Sequence, residues 1–325
     1  MSDATFDIQS VSKDFPVHTG SLHRVTGWLR ALDAVSLRIP QNTILGLVGE
    51  SGSGKTTLGR LLVKLLEPTS GSIFFQAKDI TRLSRSELRW FRKNVQMLFQ
   101  NAYLSLNPKK RVSEAIAYPL RLHGLASPAN LRSKVADLIR QVGLDLSLAD
   151  AYPHELSGGE RQRVSLAAGL AVDPKFIFCD EPVSVLDSSA RAQVLNLLRE
   201  VQRERKLTML LVSHDLSAVE YACDDVAVMY LGGVVERAEK DGLFADPAHP
   251  YTKALLSAIP HLDPDAAAAR EEIVLEGEIP SPASPPSGCR FHTRCASRIS
   301  GRCEVVVPAL TRIGERREVA CHLFS

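Results

Sequence analysis

The chain has 325 residues, 45% of them hydrophobic and 23% charged, a composition that excludes disorder as the main state and allows two domains or one large domain with an appendage. Thirty-nine basic against 37 acidic residues leave a formal charge of +2, so there is no whole-chain electrostatic footprint for nucleic acid. No apolar run approaches the roughly 20 residues of a membrane-spanning helix, and the first residues, Met1 to Asp7, lack the basic and apolar stretches of a signal peptide. A soluble cytosolic chain is expected, with any membrane role supplied by a partner.

In chain order, residues 43–48 form a short apolar run of buried-strand type, followed by a glycine-rich turn. From Lys55 the spacing predicts a helix with Leu58, Leu61, Leu62, Leu65 and Leu66 on one face, ending before Pro68. Arg82, Arg85, Arg89, Arg92 and Lys93 follow at helical spacing and describe a solvated face. From about 100 to 165 the signals are helical, without a clear strand, so a helical insert is expected. Within it Leu131, Val135, Leu138, Ile139 and Val142 keep the helical period, and Gly143 supplies the stop. Phe176–Cys179 and Thr208–Val212 are two more strand runs, with an amphipathic helix carrying Val194, Leu195, Leu198 and Val201 between them. Alternating strands and helices predict an α/β fold with a mostly parallel sheet wrapped by helices. No internal repeat is found. Composition changes near 241, and Pro280, Pro282, Pro285 and Pro286 mark an extended linker before a cysteine-rich tail.

The chemistry starts at Gly49-Glu50-Ser51-Gly52-Ser53-Gly54-Lys55-Thr56, which satisfies G-x-x-x-x-G-K-[ST]. Such glycines let successive backbone N–H groups turn inward around phosphate oxygens, and the following helix points its positive end at them. Lys55 is placed to reach the β- and γ-phosphates and the Thr56 hydroxyl to take Mg²⁺, with Thr57 counted among the nucleotide-binding residues. This predicts binding of a nucleoside triphosphate with Mg²⁺. A second apolar strand ends in Asp180-Glu181. Asp180 is placed to support Mg²⁺ through its water shell, and Glu181 to orient and deprotonate an attacking water.

Leu156-Ser157-Gly158-Gly159-Glu160 resembles the signature motif of ATP-binding-cassette (ABC) ATPases. The resemblance implies a P-loop NTPase core with a helical signature subdomain and ATP as the nucleotide. It also implies a head-to-tail dimer in which Ser157, Gly158 and Gly159 contact the ATP held by the partner's phosphate loop. Other motifs fall in the family's order. Gln100 is similar to the Q-loop glutamine that senses Mg²⁺ beside the transporter's membrane subunit. Ser184-Val185-Leu186-Asp187 resembles the D-loop, with Val185 where alanine is common. His214 resembles the switch histidine that contacts the γ-phosphate. Phe15 resembles the aromatic residue that stacks on adenine, with residues 16–31, including Gly20, Gly27 and Trp28, read as an inserted loop. DNA-acting cassettes carry longer inserts between the two phosphate-site motifs than Thr56 to Asp180 allows, and ribosomal ones carry two cassettes per chain, so a transporter subunit is implied.

His249-Pro250-Tyr251-Thr252-Lys253, then Gly277 to Pro282 and Gly288 to His292, resemble the C-terminal extension of oligopeptide and dipeptide importer ATPases, a subfamily that also contains nickel and other small-solute importers. Residues 1–240 are therefore read as the nucleotide-binding domain and 241–325 as a small cysteine-rich extension. Implied partners are two integral membrane permease subunits, a second ABC ATPase and, indirectly, an external substrate-binding protein. The implied location is peripheral, on the cytoplasmic face of the inner membrane. Cys289, Cys295, Cys303 and Cys321 are spaced C-x5-C, C-x7-C and C-x17-C; similar family tails imply a [4Fe–4S] cluster, with tetrahedral zinc as the alternative. Cys179 and Cys223 read as packing residues.

Overall fold

The computed structural model describes residues 4–19, 24–100, 105–259 and 273–325. It opens on a long antiparallel hairpin, β1 (Ala4–Thr19) and β2 (Arg24–Pro40), paired from Ala4↔Pro40 to Thr19↔Arg24. This corrects the reading of 16–31 as a loop, although Gly20 itself lies outside the described residues. Val17, Val25, Trp28 and Leu29 are β-formers that take up ladder hydrogen bonds without a buried face; Trp28 is 61% exposed, so no core periodicity betrays the strand.

β3 (Ile44–Val48) leads into α1 (Lys55–Leu62). That helix stops at Leu62 rather than before Pro68, because Lys64 turns left-handed (φ 57°) and buries its ammonium against the Glu67 carboxylate and the Thr81 carbonyl. Leu65, expected on the buried face, is consequently exposed. β4 (Ser70–Phe75) and β5 (Lys78–Asp79) complete a four-stranded antiparallel sheet in the order β2-β1-β4-β5. After α2 (Arg85–Asn94) and β6 (Val95–Leu98) come α3 (Val112–Leu122), α4 (Leu131–Gln141) and α5 (Gly158–Leu170). The helical stretch thus extends past the expected end near 165.

β7 (Phe176–Asp180), α6 (Ser188–Arg205), β8 (Thr208–Val212), α7 (Leu216–Ala222), β9 (Asp225–Tyr230) and β10 (Gly233–Glu239) build the rest of the central sheet. Its order is β11 (Thr311–Gly314), β12 (Arg317–Val319), β10, β9, β3, β8, β7, β6, with β9, β3, β8, β7 and β6 parallel. Every residue of β3, β7, β8 and β9 is buried, because both sheet faces are covered. Alternate residues divide between two cores. Leu45, Leu47, Phe176, Phe178, Leu210 and Val212 pack with α1 and the antiparallel sheet. Ile44, Val48, Ile177, Cys179, Met209 and Leu211 pack with the helices. Burial pushes the Cys179 thiol up to about 12, in keeping with a packing role.

The chain then forms α8 (Lys240–Ala245) and α9 (Pro250–Ser257) and returns with β11 (Thr311–Gly314) and β12 (Arg317–Val319), whose pairing with β10 adds the tail to the central sheet. Arg317 anchors this return on Glu236, a fully buried carboxylate that also accepts the Ala248 and His249 N–H groups. The His249 ring caps α9 by accepting the Tyr251 N–H, and burial lowers its pKa to about 4. No helix among the described residues is long and apolar enough to cross a membrane.

Candidate active site

The site lies where the parallel strands end, the edge at which such sheets bind ligands. β3 delivers Gly49, whose φ of 143° and close approach to the Met229 carbonyl, 2.1 Å from where a Cβ would stand, admit only glycine. Gly54, at φ 103°, likewise turns against the Ala31 carbonyl as it starts α1. Between them Ser51 and Gly52 are exposed at the mouth of the loop, Ser53 is buried, and Thr57 is half-buried on α1. Lys55 is 7% exposed, and its ammonium donates to the Gly49 and Glu50 carbonyls at 2.8 Å and to Ser53 Oγ at 3.3 Å. Burial pulls its pKa down, opposed by the carboxylates of Glu181, Asp180 and Glu50.

Strand β7 places Asp180 beside α1, where Thr56 Oγ1 donates to Asp180 Oδ1 at 3.0 Å. Burial raises the Asp180 pKa, while the Thr56 hydrogen bond and the nearby Arg60 lower it. A hydroxyl and a buried carboxylate in contact form a hard-oxygen pair of the kind that suits Mg²⁺. Glu181 leaves the strand in the left-handed region at φ 47°, its N–H held by the Val212 carbonyl at 3.0 Å. That turn carries its carboxylate out to Gln100 and His214. Gln100 Nε2 donates to Glu181 Oε2 at 2.9 Å, and His214 Nδ1 lies 3.2 Å from the same oxygen. Residues 81 and 33 positions from Glu181 thus meet at one carboxylate. Gln100 also reaches Ser184 Oγ at 3.4 Å.

The remaining candidates stand apart from this cluster. Ser157 is the exposed N-cap of α5, accepting the Glu160 N–H at 3.3 Å while Glu160 accepts the Ser157 N–H at 2.7 Å. Gly158 and Gly159 begin that helix, and Gly159 is buried against Ala190 of α6. Asp187 caps α6 through the Ala190 N–H at 2.9 Å. Phe15 sits half-buried on the hairpin with the Lys13 ammonium 5.1 Å from its ring centre.

Among the described residues no three His, Cys, Asp or Glu side chains close on one metal point. The cysteines nevertheless share a neighbourhood: burial first, then the Cys303, Cys321 and Cys295 thiols, push Cys289 up to about 11. Cys303 Sγ accepts the Ile299 N–H at 3.2 Å, while the backbone at Phe291, Ser297 and Leu323 offsets part of the rise at Cys289, Cys295 and Cys321 that burial causes.

Sequence reasoning missed the residues that hold the phosphate loop from outside. Arg294 pairs with the Glu50 carboxylate at 2.9 Å, and Tyr251 Oη accepts the Glu50 N–H at 2.8 Å. Tyr251 stood within a recognised motif, but nothing in its spacing pointed to a loop some 200 positions earlier.

Comparison with known proteins agrees with this geometry. Residues 32–184 match the ABC transporter family, and residues 235–303 match the oligopeptide/dipeptide transporter C-terminal region. The chain is 45% identical over 99% of its length, and 98% of the relative's, to the oligopeptide transport ATP-binding protein AppF of Bacillus subtilis. It is 47% identical to a putative peptide import ATP-binding protein of Brucella ovis, over 90% of this chain and 92% of that one. Among solved structures it resembles an ATP-binding cassette captured as a post-hydrolysis dimer bound to ADP and Pi, with a TM-score of 0.64 and 26% identity over 72% of this chain and 98% of that chain. It also resembles a cassette from Clostridium perfringens that is part of an ABC transporter complex, with a TM-score of 0.65 and 26% identity over 75% and 92% of the two chains. With its phosphate loop, Asp180-Glu181 strand end and cassette fold, this chain belongs to the ABC transporter family and is an ABC ATPase.

Proposed function

We propose that this chain powers the import of di- and oligopeptides as one ATPase subunit of a membrane complex. It sits peripherally on the cytoplasmic face of the inner membrane, under two permease subunits, and pairs head to tail with a second cassette ATPase. The observation that carries the reading is the meeting of Gln100, Glu181 and His214 beside the Lys55–Thr56–Asp180 loop, in a chain whose tail matches the peptide-transporter C-terminal region. Thr56 and Asp180 would hold Mg²⁺, which neutralises triphosphate charge when bound. Lys55 and the loop amides hold the β- and γ-phosphates. Glu181 takes the proton of the attacking water, Gln100 fixes that carboxylate and reports on the metal, and His214 holds the γ-phosphate side. Ser157, Gly158 and Gly159 present a hydroxyl and a helix N-terminus to the ATP of the opposing subunit, with Asp187 at the same interface, and Phe15 packs on the adenine. Triphosphate then closes the dimer, and hydrolysis releases it.

The test is co-isolation from membranes together with peptide uptake. Deleting the chain should abolish uptake of labelled di- and oligopeptides, and the tagged chain should carry permeases with it. Recovery with DNA or ribosomes and no membrane partner would sink the reading.

Cys289, Cys295, Cys303 and Cys321 of the 241–325 extension are proposed to ligate an iron–sulfur cluster. Four half-buried or buried thiols that share one neighbourhood, one of them receiving a backbone N–H, suit thiolate ligation. Protein purified without oxygen should contain about four irons and matching acid-labile sulfide per chain, lost on Cys289→Ser with Cys303→Ser. Stoichiometric zinc, or neither metal, would remove the cluster.

A further inference from the structure

We propose that Arg294 and Tyr251 are positioning residues for the nucleotide, bracing the phosphate loop through Glu50, so that the C-terminal segment sets the chain's affinity for the triphosphate. This rests on the reading of residues 49–57 as the ATP site.

Glu50 is an awkward residue for such a loop. Its carboxylate stands one position from Gly49 and Ser51, and its field reaches the Lys55 ammonium. Left free, it would repel the β- and γ-phosphates that Lys55 attracts. Arg294 removes the problem: one guanidinium nitrogen, Nη1, lies 2.9 and 3.1 Å from the two Glu50 oxygens and 3.5 Å from Tyr230 Oη. The Arg294 side chain is 8% exposed and that of Glu50 23%, so solvent screens this pair far less than a surface one.

The Glu50 backbone is clamped as well. Its N–H is taken by Tyr251 Oη at 2.8 Å, and its carbonyl accepts from Lys55 Nζ at 2.8 Å and from the Ser53 N–H at 3.2 Å. Tyr251 is fully buried, packed on Tyr230 and Phe291 at ring separations of 4.7 and 5.4 Å. A second strut runs from Arg290, which donates to the Leu231 carbonyl and the Asp33 carboxylate. The adjoining Gly232 N–H holds the Ser53 carbonyl at 2.9 Å. Arg290 and Arg294 directly follow Cys289 and directly precede Cys295, so the order of the cysteine segment is tied mechanically to the phosphate loop.

The experiment measures binding of a fluorescent ATP analogue and steady-state hydrolysis on the full-length chain, with the nucleotide-free unfolding midpoint recorded for each variant. Arg294→Ala should weaken binding and raise KM about tenfold, within the usual span of coupling between sites, while kcat at saturation stays within about twofold. Arg294→Lys, which keeps the charge, should retain affinity within about threefold. Adding Glu50→Gln to Arg294→Ala should restore affinity to within about twofold of Glu50→Gln alone, because the repelling charge is then gone. Tyr251→Phe, which removes one oxygen and keeps the ring packing, should weaken binding about fivefold and provides the reading where Arg294→Ala does not fold. Unchanged affinity in Arg294→Ala and Tyr251→Phe, or an equal loss in the double variant, would overturn the brace while the parent chain still binds ATP. A parent chain that binds no ATP would overturn the site reading beneath it.

Discussion

Glu181→Gln is expected to slow ATP hydrolysis by about 10²-fold or more, the usual contribution of a positioned general base, while ATP affinity stays within about threefold. Glutamine keeps the size and the polar contacts of the side chain, but an amide has no basicity with which to take the water's proton. In the wild-type chain Gln100 at 2.9 Å and His214 at 3.2 Å both engage Oε2. The left-handed backbone at Glu181 is equally open to Gln, so the substitution leaves the turn intact. With closure driven by bound triphosphate and opening by hydrolysis, the variant should accumulate as an ATP-bound dimer. Phosphate release and size-exclusion chromatography with ATP and Mg²⁺ measure the two effects. Turnover within a few-fold of the parent would remove Glu181 as the base and leave His214, on the other side of the same contact, as the residue to substitute next.

Lys55→Ala is expected to weaken ATP binding by about 10²-fold, the range for loss of charge-assisted hydrogen bonds in a sheltered site. Two costs combine. The β- and γ-phosphates lose their buried cation, and the Gly49 and Glu50 carbonyls lose the ammonium that joins them at 2.8 Å. The Glu50 carbonyl keeps the Ser53 N–H, so the loop should loosen rather than unfold. The effect should therefore appear in affinity before it appears in the unfolding midpoint. Equilibrium binding of a fluorescent ATP analogue, beside a melting curve without nucleotide, separates the two. Affinity equal to the parent's would contradict the phosphate-loop assignment.

What sequence alone determined is whatever a few consecutive residues settle by themselves. Gly49 to Thr56 read as a phosphate loop because the turn needs glycine at specific steps and the helix must start at Lys55; Gly49 and Gly54 do take positive φ, and α1 does start at Lys55. The runs 43–48, 176–179 and 208–212 read as buried strands because burial on both faces leaves them almost wholly apolar. Ser157 read as a helix cap because the capping box closes within four residues. Periodicity failed where its premise failed. The outer part of the β1–β2 hairpin is exposed and so has no alternation to read, and α1 ends early because a buried lysine turns the chain.

Only the tertiary structure decided which distant residues meet. Gln100, Glu181 and His214 are in contact because β6, β7 and β8 are neighbours ending at one sheet edge, and Glu181 reaches the other two through a backbone conformation that no local pattern announces. The tail illustrates the same point at a longer range. Arg294 and Tyr251 hold Glu50 because Tyr251 and Phe291 pack on Tyr230 at the end of β9, the strand beside β3, and so seat the C-terminal segment against the phosphate loop. Local motifs are set by backbone geometry within a few residues, whereas a carboxylate and a guanidinium 244 positions apart are joined by the packing of the whole chain.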